Sequence, residues 1–422
     1  MKKTLFIFFL SFVLILGIIV FVYKNNLAGI RPIFETPKEE ITKILEDQVK
    51  TSSSPELAKV DFPLQVPDEF AISLFAKNVS GARVMAIDSH GNLWVSRTKE
   101  GIVTLLEIEN GRVVGQADIF KNMKNPHGLA FDPKHPNILY IAEEDKISFV
   151  DIYTVGETSE RASPSKIVDL PGAGRHFTRT LLFDNDGNLF VSIGSTCDVC
   201  QETDERISTV MKVVFEDEYR TKAHLEEYAT GLRNSVFLAL HPQTEKIWAT
   251  EMGRDNLGDN IPPDEVNIIE NGKNYGWPNC YGKNIHDDAF DKNIYIRNPC
   301  MEPFETASHI DLPAHSAALG LAFVPPNSQW PQEYWNNLLV AYHGSWNRTV
   351  PTGYKVVRYV LDANGQWSGD KPIEEDFIAG WLKGGKESYG RPVDLLVQKD
   401  GSLYISDDKA AIIYKVQYLE RN

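Results

Sequence analysis

One phrase recurs along this chain and restricts the folds open to it. A polar turn containing Gly or Asn leads into a short strand that alternates aromatic and aliphatic residues. The regular copies are DSHGNLWVSR (Asp88 to Arg97), DPKHPNILYIAE (Asp132 to Glu143), DNDGNLFVSIG (Asp184 to Gly194), HPQTEKIWATE (His241 to Glu251) and QKDGSLYISDD (Gln398 to Asp408). PQEYWNNLLVAYHG (Pro331 to Gly344) is a sixth, less regular copy. Each follows another apolar run, such as GLAFD before Pro133 or GLAFVPP from Gly320, so each reads as a β-hairpin. A small sheet cannot bury both its faces alone, and radial packing against neighbours solves this. The expected fold is therefore all-β, a six-bladed β-propeller, with a β-sandwich carrying long loops as the competing architecture. Long helical patterns are absent after residue 60.

The repeats begin late. Lys2 and Lys3 precede an uncharged apolar run from Thr4 to Tyr23, long enough to span a bilayer as a helix, with a cleaved signal peptide as the alternative. The positive flank would stay cytoplasmic and place the remainder in an extracytoplasmic compartment. Residues 1–24 are expected to form a membrane anchor, 25–60 a stalk, and 61–422 the propeller. The formal net charge of −15 argues against nucleic acid as a partner. The four cysteines suit disulfides in an exported chain. Cys197-x-x-Cys200 has no second pair at zinc-site spacing, because Cys280 and Cys300 stand too far apart, and no helix to make it thioredoxin-like. Disulfides Cys197–Cys200 and Cys280–Cys300 are expected.

Chemistry gathers in loops ahead of the repeated strands. His176 lies in GAGRHFTR between Arg175 and Arg179, cations that would keep it neutral and basic if close; a surface histidine is the plain alternative. Arg233, followed by Asn234, opens a strand and suits either an oxyanion or an ordinary ion pair. The acidic, Gly-rich loop Glu251 to Asn267 offers carboxylates and carbonyls to a hard cation, without EF-hand spacing. HGSWNR (His343 to Arg348) sets an aromatic beside polar and cationic groups, and Arg391 precedes the last repeat as Arg233 precedes its own strand. Loops entering equivalent strands share one face, so these residues converge on one rim.

The stretches GRHFTRTLLFDNDGNLFVSIGSTCDVC, TGLRNSVFLAL, DEVNIIENGKNYGWP, HSAALGLAF, HGSWNR with GYKVVRY, and GRPVDLL with DGSLYISDD occur in order. In them the chain from about Phe62 to Gln417 resembles the glucose/sorbosone dehydrogenases, the soluble quinoprotein sugar dehydrogenases, and most of all their sorbosone branch. The resemblance implies a six-bladed propeller binding pyrroloquinoline quinone (PQQ) and Ca²⁺. It implies His176 as the base that takes the substrate hydroxyl proton while hydride passes to the quinone, with Arg233 stabilising the developing oxyanion. Arg179, Asn234, His343, Trp346, Arg348 and Arg391 would hold the quinone. Gly253 and Arg254 would supply Ca²⁺ carbonyls, with Asp264 and Glu265 in support. The substrate would be an aldose, a sugar-derived aldehyde or a related alcohol, and an external electron acceptor would reoxidise the cofactor. Departures from the family pattern are Ser235-Val236-Phe237 after Arg233-Asn234, a longer loop before Asp264, Val393 where a second arginine is usual, and GARVMAI from Gly81. A non-catalytic ligand-binding propeller and a Ca²⁺-dependent lactonase-type hydrolase stand as alternatives.

Overall fold

The computed structural model describes residues 64–419 apart from 155–162, 173, 386 and 399, together with the short pieces 14–18 and 34–35. Six antiparallel blades form a ring. Five are built in order from residues 82–120, 128–169, 181–230, 237–312 and 318–378. The sixth takes Pro392–Val397, Leu403–Asp407 and Ile412–Tyr418 from the C-terminal end and Phe70–Lys77 from before the first blade. The register runs from Phe70 opposite Tyr418 to Lys77 opposite Ile412, so the two ends of the ring share one sheet. The first strand of each blade touches its counterparts on either side, and these six line the centre.

The repeated phrase has a local cause. In the first blade the Asp88 carboxylate accepts the backbone N–H groups of His90 and Asn92, each at 2.9 Å, and the Trp94 indole N–H at 3.0 Å. Asp184 accepts from the Asn188 amide at 2.7 Å, and Asp132 from the Lys134 amide at 2.8 Å. In the fourth blade the His241 ring nitrogen Nδ1 takes the same part toward Gln243 and Thr244. A side-chain acceptor that satisfies the turn's own amides fixes the hairpin and hence the strand register. The apolar members of each strand then fall between blades, where Trp248, Trp330 and Trp381 are fully enclosed. Each such side chain contributes about 1.5–3 kcal/mol relative to exposure.

Two features shape the face that carries the site. Residues 252–263 loop over it between the second and third strands of the fourth blade. Residues 270–309 leave the third strand of that blade and run outside it, where Lys273–Asn274 adds a parallel strand to the third blade beside Ala229–Thr230. This excursion is closed by Cys280–Cys300, and the other disulfide is Cys197–Cys200, both as expected from the sequence. The expected anchor lies outside the described residues save for a helical turn at 14–18. The stalk does so save for Phe34–Glu35, whose backbone pairs in parallel with Glu387–Ser388. No helix among the described residues is long and apolar enough to cross a membrane.

Candidate active site

The third blade's second strand ends at Ile193, and Gly194 follows where a side chain has no room. A Cβ there would sit 2.7 Å from that of His176 and 2.9 Å from the Asn234 amide oxygen. This close approach lets the His176 loop lie against the strand end. His176 Nδ1 is 3.0 Å from the Ser195 carbonyl and 2.8 Å from Ser195 Oγ. That hydroxyl donates its own hydrogen to the Cys197 carbonyl at 2.7 Å. Nδ1 therefore faces two acceptors and carries the hydrogen, which leaves the lone pair on Nε2. Burial, then Arg233, then Arg175 bring the imidazole pKa down to about 3, so His176 is neutral across the physiological range. The sequence assigned this effect to Arg175 and Arg179; the structure assigns it to burial, Arg233 and Arg175.

Around His176 an open cavity of about 230 Å³ is lined by Arg175, Arg233, Asn234, Met252, Gly253, Asp255, Asp264, His315, Ala317, Trp346 and Asn347. Its cations are held by acids. Arg233 is buried, donates through Nε to the Asp198 carbonyl at 2.9 Å and through Nη2 to Asp198 Oδ1 at 2.7 Å, and reaches the Met252 carbonyl at 3.2 Å. Arg175 pairs with Asp255, whose other oxygen accepts from Asn347 at 2.6 Å. Asn347 in turn meets His315 Nδ1 at 3.2 Å, and His315 Nε2 donates to the Gly258 carbonyl at 2.7 Å. His315 and Ala317 both have positive φ, 63° and 54°, in the loop that lines one wall. Non-glycine residues hold that conformation only where their surroundings over-determine it, as at functional sites.

The residues expected in the metal loop part company. Gly253 and Asp264 both line the cavity, the Gly253 amide donates to Asp264 at 3.1 Å, and a Cβ on Gly253 would strike the Pro263 carbonyl. Burial raises Asp264 to about 6, a sign of a desolvated carboxylate without a full countercharge. Arg254 turns its guanidinium away, to Asp287 at 2.8 Å. Glu265 is buried, accepts the Gly282 amide at 2.6 Å, and lines with Arg254 a smaller neighbouring cavity beside Trp277 and Tyr281.

The expected quinone-holding residues divide. Trp346 and Asn234 line the central cavity; Trp346 is half exposed and has no aromatic partner among the described residues. His343 and Arg391 line a second hollow of about 270 Å³ with Arg83, Lys99, Asp408 and Lys409. An apolar neck lined by Phe177, Val236, Met252 and Leu319 connects the two, sharing Arg175 and His176 with one and Arg83 and Lys99 with the other. Arg179 and Arg348 do not reach this trough. Arg179 is enclosed, and its guanidinium donates to the carbonyls of His176, Thr178 and Pro171 at 2.8–2.9 Å. It sits two positions before its strand, turned inward, and secures the His176 loop from beneath. Arg348 clamps the Ala314 carbonyl at 3.1 Å and Asn260 at 3.0 Å, tying two rim loops together.

Asp198, Asp255, His315, Asn347 and Arg83 were not singled out from the sequence. All five stand inside stretches already marked, GSTCDVC, the acidic loop, HSAALGLAF, HGSWNR and GARVMAI, but nothing local gives them their roles. Their partners are far along the chain, as with Arg83 and Asp408 at 3.0 Å.

The residues fit a flat polyanionic cofactor beside a hard cation. A half-exposed indole is free to stack, and two guanidinium groups, a buried carboxylate and a glycine line the same cavity. Fold and site together define a propeller with a cationic, aromatic-walled trough over its centre and a neutral imidazole within it. The sequence profile of the TrAA12-like family matches residues 64–419, and the chain belongs to that family. An uncharacterized protein of Borreliella burgdorferi is 32% identical over 372 residues, 84% of this chain and 91% of that protein. A pyrroloquinoline quinone-dependent pyranose dehydrogenase of Coprinopsis cinerea is 23% identical over 86% of this chain, which spans only 56% of that enzyme. The PQQ domain of that enzyme, in its holo form, superposes with a TM-score of 0.67 at 21% identity, covering 86% of this chain and 99% of the domain. A calcium structure of the Trichoderma reesei carbohydrate-active enzyme of family AA12 superposes with a TM-score of 0.68 at 20% identity, over 86% of this chain and 99% of its own. These superpositions establish a shared fold.

Proposed function

We propose that this chain is a quinoprotein sugar dehydrogenase that uses PQQ and Ca²⁺. The observation that carries the reading is the setting of His176: Nδ1 lies against two Ser195 oxygens, which leaves Nε2 for a cavity also lined by Arg233 and Trp346. When bound, the quinone and its cation supply a two-electron acceptor and a Lewis acid. The chain's own residues do the rest. His176 Nε2 takes the proton of the sugar hydroxyl. Arg233, with guanidinium hydrogens left over from Asp198 and Met252, offers charge to a developing oxyanion. Trp346 and Asn234 present a stacking face and an amide, Arg391 a cation farther along the trough, and Gly253 with Asp264 the cation's oxygen ligands.

Finer elements of the reading rest on the sequence. HGSWNR supports the sorbosone-type branch, the apolar run Thr4 to Tyr23 supports an anchored extracytoplasmic protein, and an external acceptor completes the electron balance. The substrate is an aldose, a sugar-derived aldehyde or a related alcohol. The test is reconstitution of the purified protein with the quinone and Ca²⁺, followed by absorbance of bound quinone and dye reduction with a panel of sugars. Binding with turnover that His176→Ala lowers sharply is expected. No binding at micromolar quinone sinks the enzyme reading, and binding without turnover points to a ligand-binding propeller.

A further inference from the structure

We infer that the small ring closed by Cys197 and Cys200 is a positioning element that sets both the tautomer of His176 and the aim of Arg233, through the Cys197 carbonyl and through Asp198. The inference rests on the roles given above to His176 and Arg233. Every residue from Ser195 to Asp198 is tied. Ser195 Oγ donates to the Cys197 carbonyl at 2.7 Å, which spends the hydroxyl hydrogen and leaves Oγ an acceptor for His176 Nδ1 at 2.8 Å. Thr196 is held through its amide and hydroxyl by the Glu202 carboxylate, at 2.7 Å and 2.9–3.0 Å. Asp198 takes the Arg233 fork on two different oxygens, its own carbonyl at 2.9 Å and Oδ1 at 2.7 Å. The same Oδ1 accepts the Asp255 amide at 2.9 Å, which fixes the start of the loop that follows Gly253.

Without the ring, this segment is irregular backbone between two strands, and hydrogen bonds alone hold the Cys197 and Asp198 carbonyls. A Ser195 hydroxyl released from Cys197 can donate to Nδ1 instead of accepting from it, which would move the imidazole hydrogen to Nε2 and remove the lone pair from the cavity. An Arg233 released from Asp198 keeps only its Met252 bond and the longer Asp255 pairing at 3.6 Å. Closing the ring pre-organises two reacting groups at once, from residues that touch no substrate.

The test compares three variants with the wild type: the double variant C197S/C200S, Asp198→Ala and Asp198→Asn. Imidazole and guanidinium nitrogen NMR on the cofactor-free protein reports the His176 tautomer and the protection of Arg233 Nε–H. Thermal melts confirm that each variant folds, and kcat per bound quinone and KM follow after reconstitution. The wild type is expected to show the Nδ1–H tautomer and a protected Arg233 Nε–H. The double variant is expected to show mixed tautomers, with kcat lower by about a hundredfold and KM little changed. Asp198→Ala is expected to expose Arg233 Nε–H, while Asp198→Asn, which keeps an acceptor at Oδ1, recovers a large part of the loss. Unchanged tautomer, unchanged Nε–H protection and unchanged kcat in the double variant and in Asp198→Ala, with only a lower melting temperature, overturn the inference. If the wild type fails to bind quinone, the enzyme reading fails separately, and the NMR comparison still decides whether the ring positions these groups.

Discussion

The trough holds two histidines in contrasting settings. His176 has one ring nitrogen engaged, by Ser195, and the other toward open space. His343 has both engaged: Nε2 meets Asp408 at 2.9 Å, and Nδ1 meets Arg391 at 3.3 Å. Both are pushed below the ordinary imidazole value, His176 to about 3 and His343 to about 4, with burial the leading cause in each. For His343 the Asp408 carboxylate opposes that push; Asp408 itself is held well below the usual carboxylate range, with His343 and Arg83 outweighing its burial. Similar titration thus conceals different work. An imidazole with a vacant nitrogen serves as a base, whereas one bonded on both sides orients its neighbours. His343 is placed to aim Arg391, whose other Nη donates to the Tyr354 hydroxyl at 2.8 Å while its guanidinium lies over the Tyr354 ring.

The largest expected effect lies on the His176 side. His176→Ala should lower kcat by about 10²–10⁴ while leaving quinone binding in place, measured by dye reduction per bound quinone. Next comes Arg233→Ala, expected to cost about 10²–10³ in kcat, since it removes charge from the same end of the cavity. His343→Ala and Arg391→Ala should instead weaken quinone binding by about tenfold, with kcat at saturation nearly preserved, read by absorbance titration. A pattern in which His343→Ala abolishes turnover at saturating quinone would remove the distinction between the two histidines.

The pH dependence sharpens the same contrast. The active form of His176 is neutral, so kcat/KM should hold level down through pH 6.5 and decline only toward about pH 3. An acid limb near 6.5 would mean a solvated imidazole. For stability the sign is the same: the unfolded chain binds the His176 proton below its ordinary pKa of about 6.5, and the folded one does so only near 3. This contribution is present above pH 6.5 and lost as pH falls toward 3. Glu251 acts in the opposite sense. Burial raises it to about 8 although it accepts the Asn234 amide and the Ser235 hydroxyl. Its contribution is present at low pH and lost as pH rises toward 8, so Glu251→Gln should flatten the fall in melting temperature between about pH 5 and 8. This is the smallest effect, measured by scanning fluorimetry across the pH range.

The hairpins were legible in the sequence because their cause is local. Asp88 and Asp184 each satisfy amides two or four residues away, so the phrase that folds is the phrase that repeats. His176 and Arg233 were legible because loops entering equivalent strands open on one face, and Trp346 because it stands among polar and cationic residues in HGSWNR, on a loop that leaves the second strand on that same face. The division of the trough was not, since a sequence shows that Arg179 precedes a strand but not that it turns inward. Asp198 and Asp255 were hidden for a related reason. Acids are abundant in this chain, and the two that meet Arg233 are identified only once the third and fourth blades lie side by side. Closure of the sixth blade had no local sign at all: Phe70 and Tyr418 are paired across almost the whole propeller sequence.

That closure gives the ring a seam. A pull that reaches residue 70 enters the sixth blade through its outermost strand, and that blade also carries Asp408 and is entered at Arg391. A load applied there is carried along the ladder from Phe70–Tyr418 to Lys77–Ile412 and, through the Phe70 ring on Phe377, into the fifth blade. The protein is thus a clasped band, and its clasp lies beneath one end of its own binding trough.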